Sequence, residues 1–197
     1  MDPRKAVQLK LVADSPVPPR ALEEQTDDDL MLLTRAGEQA AFQVLVRRHQ
    51  GRILRVAARY LRDRSWATDV AQNAFLEMYR SRHRYKRCGK FIPYLCRITL
   101  NQCRMSARSA RNHARLIEAD IEELTTTDVI LQRERRRDLE AALAQLSEKL
   151  RVVVILQYAG DLQQSEIAAA LQIPVGTVKR RLFDAMAKLR VLLEEPI

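Results

Sequence analysis

Apolar residues recur every three or four positions along most of this chain and almost nowhere at every second one, the period of helices rather than strands. Phe42, Leu45, Val46, Ile53, Val56 and Tyr60 keep that spacing and predict a long amphipathic helix. Trp66, Val70, Ala74, Phe75 and Met78 predict the next, starting at Ser65 or its neighbours. A short helix should precede both. Thr26-Asp-Asp-Asp29 places a capping hydroxyl ahead of acids at the positive helix end, and the pattern runs to about Gly37. Phe91-Ile-Pro93 opens a fourth helix, its proline standing in a first turn that tolerates a missing N–H. Leu95, Ile98 and Met105 should turn inward, leaving Arg97, Asn101, Arg104 and Arg108 on the other face. Past residue 134 the period resumes with Leu139, Leu143 and Leu146, then a helix capped by Ser147 that runs to about Tyr158, before Gly160.

Three stretches break the pattern. Residues 1–26 hold Pro3, Pro16, Pro18 and Pro19 and predict a disordered tail. Residues 80–90 carry six bases, no acid and Gly89, and predict a basic loop. Residues 113–134, acidic and bearing Thr125-Thr126-Thr127, predict a linker. The expected fold is therefore all-α, with two small helical domains, 27–112 and 135–197, joined by a flexible linker. No internal repeat is visible.

The last domain ends in Gln164-Ser-Glu-Ile-Ala-Ala-Ala-Leu171, Gln172-Ile-Pro174 and Val175-Gly-Thr-Val-Lys-Arg-Arg-Leu-Phe183, which reads as a helix-turn-helix. Ala168 lets the two helices approach. Val178, Leu182, Ala185, Leu189 and Leu192 share an inward face, and Gly176, Arg180, Phe183, Asp184 and Ala187 lie opposite. Thr177, Lys179 and Arg181 flank that outward strip. Arg180 is the base-reading candidate, Lys179 and Arg181 suit phosphates, and Phe183 suits a thymine methyl or partial packing.

Charge changes the picture more than composition does. The chain of 197 residues carries +9, but residues 26–115 alone carry +12 and residues 116–149 carry −4. The positive excess lies in the first domain rather than around the helix-turn-helix, and implies a polyanion partner there. No run of about 18 apolar residues occurs and no signal peptide opens the chain, so membrane insertion is not expected. Cys88, Cys96 and Cys103 lack metal-type spacing and read as reduced thiols of a cytoplasmic protein. His49, His83 and His113 lack metal-ligand spacing, and no Gly-rich phosphate loop occurs. Neither a metal, a cofactor nor an enzymatic activity is expected. On the residues alone two readings stay open: a regulator that binds DNA by itself, and an interaction protein that works without DNA.

The order of three motifs resembles the extracytoplasmic-function sigma factors of bacterial RNA polymerase. Asp69-Val-Ala-Gln72-Asn-Ala-Phe75-Leu-Glu-Met-Tyr-Arg80 resembles the family's core-binding helix. Phe91-Ile-Pro-Tyr94-Leu-Cys-Arg97-Ile98, ahead of Asn101, resembles its promoter-melting helix. Pro174-Val-Gly-Thr-Val-Lys-Arg-Arg-Leu182 resembles its minus-35 helix. The resemblance covers about residues 27–112 and 135–193. It implies that Asp69, Gln72, Asn73 and Glu77 dock on the core enzyme, with its beta-prime and beta subunits as partners. Tyr85, Arg87, Lys90, Arg97, Asn101 and Arg104 would act at the minus-10 element, with Tyr85 as a stacking face for an unpaired base. Gly176, Thr177, Lys179, Arg180, Arg181 and Phe183 would act at minus-35, and an anti-sigma factor is a further implied partner. The chain departs from the pattern at Asn73, Tyr94, Asp184 and Met186, where acid, Trp and basic residues are usual. An acid at 184 repels phosphate, which implies altered minus-35 binding.

Overall fold

The computed structural model describes residues 22–86, 89–113 and 137–194, and the described residues are helical, with no strand among them. Of the expected tail 1–26, residues up to 21 lie outside them, as do Arg87 and Cys88 and the expected linker beyond His113. By compactness the chain divides into two units. Of the described residues, one unit comprises those up to His49 with those of Tyr79–Phe91, the other those of Gln50–Met78 with those from Ile92 onward. Leu22, expected within the tail, is instead fully buried in the first unit's core, where its apolar side chain leaves water.

In the first unit, α1 (Asp27–Ala36) begins as its sequence requires: the Asp29 N–H donates to Thr26 Oγ1 at 3.2 Å. It stops where Gly37 adopts φ 106°, a left-handed conformation that glycine accepts without strain. Leu30 and Met31 are fully buried and Leu45 of α2 (Gln39–Leu61) joins the same unit's core. Asp27 holds α2 through Arg48 Nη1 at 2.9 Å and His49 Nε2 at 2.9 Å. Burial opposes ionisation of this carboxylate, but the His49 and Arg48 contacts outweigh it and hold its pKa below the ordinary value.

The basic loop is more structured than its composition suggests. Arg82–Arg84 form a single 3-10 turn, and the Tyr85 hydroxyl donates to Asp28 Oδ1 at 2.5 Å. The Tyr85 ring meets Phe91 edge-on, with centroids 6.2 Å apart, and is only 3% exposed. The expectation of an open stacking face at Tyr85 is therefore corrected. An aromatic ring amid six bases still has an apolar body to bury, and Asp28 supplies the acceptor that makes burial of its hydroxyl tolerable.

In the second unit, the inward residues of α3 (Arg64–Arg80), Val70, Ala74, Phe75 and Met78, are buried, whereas Trp66 stays 36% exposed. Helix α4 (Phe91–His113) buries Leu95, Ile98 and Leu100. Met105, expected inward, is 62% exposed: it follows the buried Cys103 by two positions, about 200° around the helix. Residues 137–145 are helical, then α5 (Glu148–Tyr158) buries five consecutive residues, Val152 to Leu156, being covered on more than one side. Helices α6 (Gln164–Leu171) and α7 (Val175–Glu194) pack on α5 and on each other. Gly160 sets the corner between α5 and α6: a Cβ there would stand 2.7 Å from the Leu156 carbonyl oxygen.

Candidate nucleic-acid and protein interfaces

The helix-turn-helix is built as its sequence implies. The Gln163 N–H donates to Glu166 Oε2 at 2.8 Å and so fixes the start of α6. Gln172 closes that helix at φ 56°, a left-handed turn, and Pro174 leads into α7. Ile167 and Ala168 of α6 and Val178, Leu182, Ala185 and Leu189 of α7 are buried, and Leu192 is partly so. Burial of that stripe fixes the rotation of α7 and turns Gly176, Lys179, Arg180 and Phe183 to solvent, with Thr177, Arg181 and Asp184 half-buried beside them. Gly176, Thr177, Arg180, Arg181 and Asp184 rim a shallow concavity of about 450 Å³. Phe183 is 75% exposed, which decides between contact and packing in favour of an open ring. With Tyr158 and Met186 it lines a neighbouring open hollow of about 470 Å³. The apolar share of that surface was missed in the sequence. Its signal is Met186, three positions beyond Phe183 on the same face.

Asp184 has a partner on its own helix, with Arg180 Nε 3.9 Å from Asp184 Oδ2. The departure from a basic residue thus places an acid beside the principal base-reading candidate. The Arg180 side chain is 85% exposed, so the pair is loose and solvated.

Helix α4 presents its polar groups differently. Asn101 is exposed and Arg97 and Arg104 are half-buried. Arg97 lies over the Tyr94 ring at 5.8 Å, a cation–π contact at the edge of the effective range. Arg104 Nε donates to Glu148 Oε1 at 2.9 Å, and its Nη1 reaches Asn101 Oδ1 at 3.4 Å. The Tyr60 hydroxyl donates to the same Glu148 oxygen at 3.0 Å. The Arg104 hydrogen bond is the main reason the Glu148 carboxyl sits below its ordinary pKa, against its partial burial. On the other side burial disfavours the charge of Arg104, yet the Glu148 bond prevails and its pKa is raised. Tyr60 is pushed up by burial first and by the Glu148 carboxylate second. The partnership of Arg104 with Glu148 was not visible in the sequence, where they stand 44 residues apart.

On α3, Asp69, Gln72 and Asn73 are exposed and Glu77 half-buried. Leu76, 48% exposed, falls on the same strip, three and four positions after Asn73 and Gln72. It is a second residue the sequence reading passed over. Its signal was an apolar side chain outside the buried set of that helix. Lys90 is exposed, and Arg87 lies outside the described residues. Cys96 and Cys103 are buried free thiols, both pushed up to about 12, chiefly by burial. That excludes them as thiolates near neutral pH. Among the described residues no cluster of side chains could hold a metal ion, and no helix is long and apolar enough to cross a membrane.

Residues 45–113 match the family model Sigma-70 region 2, and residues 136–189 match Sigma-70, region 4. The RNA polymerase sigma-H factor of Pseudomonas aeruginosa is 30% identical over 177 residues, spanning 83% of this chain and 92% of that protein. The ECF RNA polymerase sigma-E factor of Escherichia coli K12 is 30% identical over 176 residues, with the same two shares. Among solved structures, CnrH in complex with the cytosolic domain of CnrY superposes with a TM-score of 0.66 at 26% identity, over 85% of this chain and 97% of that one. The sigma factor RpoE of Bartonella quintana, in complex with the anti-sigma factor NepR, has the same fold at 19% identity. Its TM-score is 0.60, over 79% of this chain and 98% of that one.

Proposed function

The chain belongs to the sigma-70 family, in its extracytoplasmic-function group, the factors that direct RNA polymerase to begin at chosen promoters, and we propose that it divides this work among three helices. Two modules, 27–112 and 135–197, joined by a flexible linker, would carry them. Asp69, Gln72, Asn73 and Glu77 of α3 dock on the beta-prime subunit, with Leu76 as an apolar anchor inside the acidic strip. Charged rims set encounter and orientation, while a desolvated apolar side chain contributes residence. The beta subunit is the other proposed partner within the core enzyme.

Lys90 and Arg87 neutralise phosphate near the minus-10 element, and Arg97, Asn101 and Arg104 of α4 act on DNA as it opens. Asn101 suits this work because its amide presents a donor and an acceptor to a base edge. At minus-35, Arg180 reads a base, Lys179, Arg181, Thr177 and the backbone at Gly176 hold phosphates, and Phe183 covers a thymine methyl. The face of α7 carries this reading: its buried stripe leaves Arg180 and Phe183 standing clear in solvent, as entry to a major groove requires. The protein is not a catalyst. Its binding energy positions DNA and favours strand opening, and nucleotide chemistry stays with the core enzyme. It works in the cytoplasm. An anti-sigma factor is proposed as a further partner, and the capture of CnrH with a cytosolic domain of CnrY supports a second protein at this fold.

Transcription in vitro with purified core enzyme on random promoter DNA tests the assignment, followed by footprinting and permanganate reactivity on a selected promoter. Arg180→Ala should erase preference at one upstream position. Asn101→Ala should keep the upstream footprint and lose thymine reactivity. Normal opening by Asn101→Ala would remove α4 from the melting role.

A further inference from the structure

Between Glu166 and Glu194 the chain carries a single acid, Asp184, and it stands among Lys179, Arg180, Arg181, Lys188 and Arg190. It lies on the outward strip of α7, about one turn beyond Arg180, with its Oδ2 3.9 Å from Arg180 Nε. Both residues rim the concavity of about 450 Å³ that Gly176, Thr177 and Arg181 complete. Stability does not account for an acid here. The Arg180 side chain is 85% exposed, and so exposed a pair contributes little. Its order along the helix, base before acid, is also the weaker one. On a surface that only neutralised phosphate the carboxylate would be a cost, since it repels the backbone it meets. What the pair does supply is a donor fork and an acceptor side by side, on the face that the buried stripe of α7 turns outward.

We propose that Asp184 is a specificity-determining residue of the minus-35 contact: it selects a cytosine next to the guanine that Arg180 reads, and it holds the Arg180 fork in place for that guanine. Major-groove chemistry dictates the choice. A guanidinium offers only donors, so it matches guanine, whose O6 and N7 both accept. A carboxylate offers only acceptors, so it matches the N4 amino group of cytosine. Adenine, with its N6 amino group beside N7, is second best. Thymine O4 and guanine O6 and N7 are acceptors, and the carboxylate rejects them. The spacing agrees. One helical turn advances about 5.4 Å and one base step about 3.4 Å, so side chains a turn apart on a helix inclined to the base pairs reach neighbouring pairs. Holding the fork follows from the atom that faces the acid. Nε is the inner nitrogen of the guanidinium, and closing the gap by about 1 Å completes its hydrogen bond to Asp184. The two terminal nitrogens then stay free to meet O6 and N7 in parallel. The proposal rests on the minus-35 role given above to Arg180.

The test uses the full chain bound to core polymerase, with duplex promoter DNA randomised across the minus-35 element. Sequencing reads the selected DNA, and competition measures affinity for single-base variants. The parent chain should choose guanine at one position and cytosine at its neighbour. Asp184→Ala should lower the preference for cytosine over thymine at that neighbour about tenfold, which corresponds to about 1.4 kcal/mol. Asp184→Asn keeps the shape, removes the charge and adds a donor, so it should move the neighbour's preference toward adenine. Arg180→Ala should lose the guanine. Arg180→Ala/Asp184→Ala should lose less than the product of the two single losses, since the pair acts as a unit. Each variant should keep the circular dichroism of the parent chain. If Asp184→Ala leaves the choice of neighbour unchanged, even with tighter binding to every sequence, while Arg180→Ala still loses the guanine, the acid merely repels phosphate. The proposal is then refuted and the role of Arg180 stands. If Arg180→Ala leaves every upstream preference unchanged, the role of Arg180 falls and the proposal falls with it.

Discussion

Helices α4 and α7 are both long, both amphipathic and both assigned to DNA, yet they hold their polar groups in opposite ways. On α4, Arg104 already has a carboxylate, Asn101 already has Arg104, and Arg97 lies over a tyrosine ring. On α7, Arg180 lies 3.9 Å from a loose carboxylate and Phe183 stands open. The cost of binding DNA therefore differs in kind. Residues of α7 lose rotamer freedom when they enter a groove, whereas residues of α4 must first exchange one partner for another. A duplex reader can be left standing in water. A helix that waits for unpaired bases can be kept occupied until they appear.

The comparison can be broken most strongly at the core that orients α4. Leu95→Ala should lower stability by about 2–5 kcal/mol, since the side chain is fully buried. Leu193→Ala on the exposed side of α7 should stay within about 0.5 kcal/mol. Thermal denaturation of both measures the contrast, and equal losses would mean the buried stripe of α4 is not what sets its rotation.

Arg180→Ala sharpens the other half. It should cost about 1–3 kcal/mol of preference at one minus-35 position and little elsewhere. Competition between wild-type and single-base variant promoters reads this directly. A uniform loss across sequences would make Arg180 a phosphate contact.

A smaller effect is expected at Tyr85. Removing its hydroxyl with Tyr85→Phe should lower stability by about 0.5–1.5 kcal/mol, because the bond to Asp28 is lost. A side chain that stood out as a stacking face would show no such loss on thermal melting.

The smallest effect is one of pH. The Glu148 carboxyl is held below its ordinary value of 4.5, so its contribution to stability is present above that value and fades as pH falls through the lowered one. Acid titration of Glu148→Gln beside the parent chain should show the two stabilities converging only in the acid range below about 4.5. Convergence near neutral pH would exclude Glu148 as the group responsible.

The helices were legible because each buries one stripe at a period that sequence displays: Leu45, Ile53 and Val56 on α2, and Val178, Leu182 and Leu189 on α7, are all buried. The Thr26 cap and the left-handed Gly37 were legible for the same local reason. Errors arose where periodicity meets a second demand. Met105 keeps a helical interval yet faces solvent, since the stripe it would extend is taken over by Cys103. Tyr85 sits in a polar loop, and only the tertiary placement of Asp28, 57 residues away, gives its hydroxyl a buried partner. Glu148 is an ordinary first-turn acid until the fold brings Arg104 and Tyr60 to it. Local chemistry is written in neighbouring residues, and partnership across tens of residues is not.

The two buried thiols give this molecule a clock. With the pKa of Cys96 and Cys103 pushed up to about 12, chiefly by burial, both stay as thiols near neutral pH while the fold is intact. An alkylating reagent in solution would therefore find either side chain chiefly in the moments when α4 comes away from its neighbours. The rate of modification at each position, read by mass spectrometry, would time those moments from inside the native chain, without a probe having to be built in.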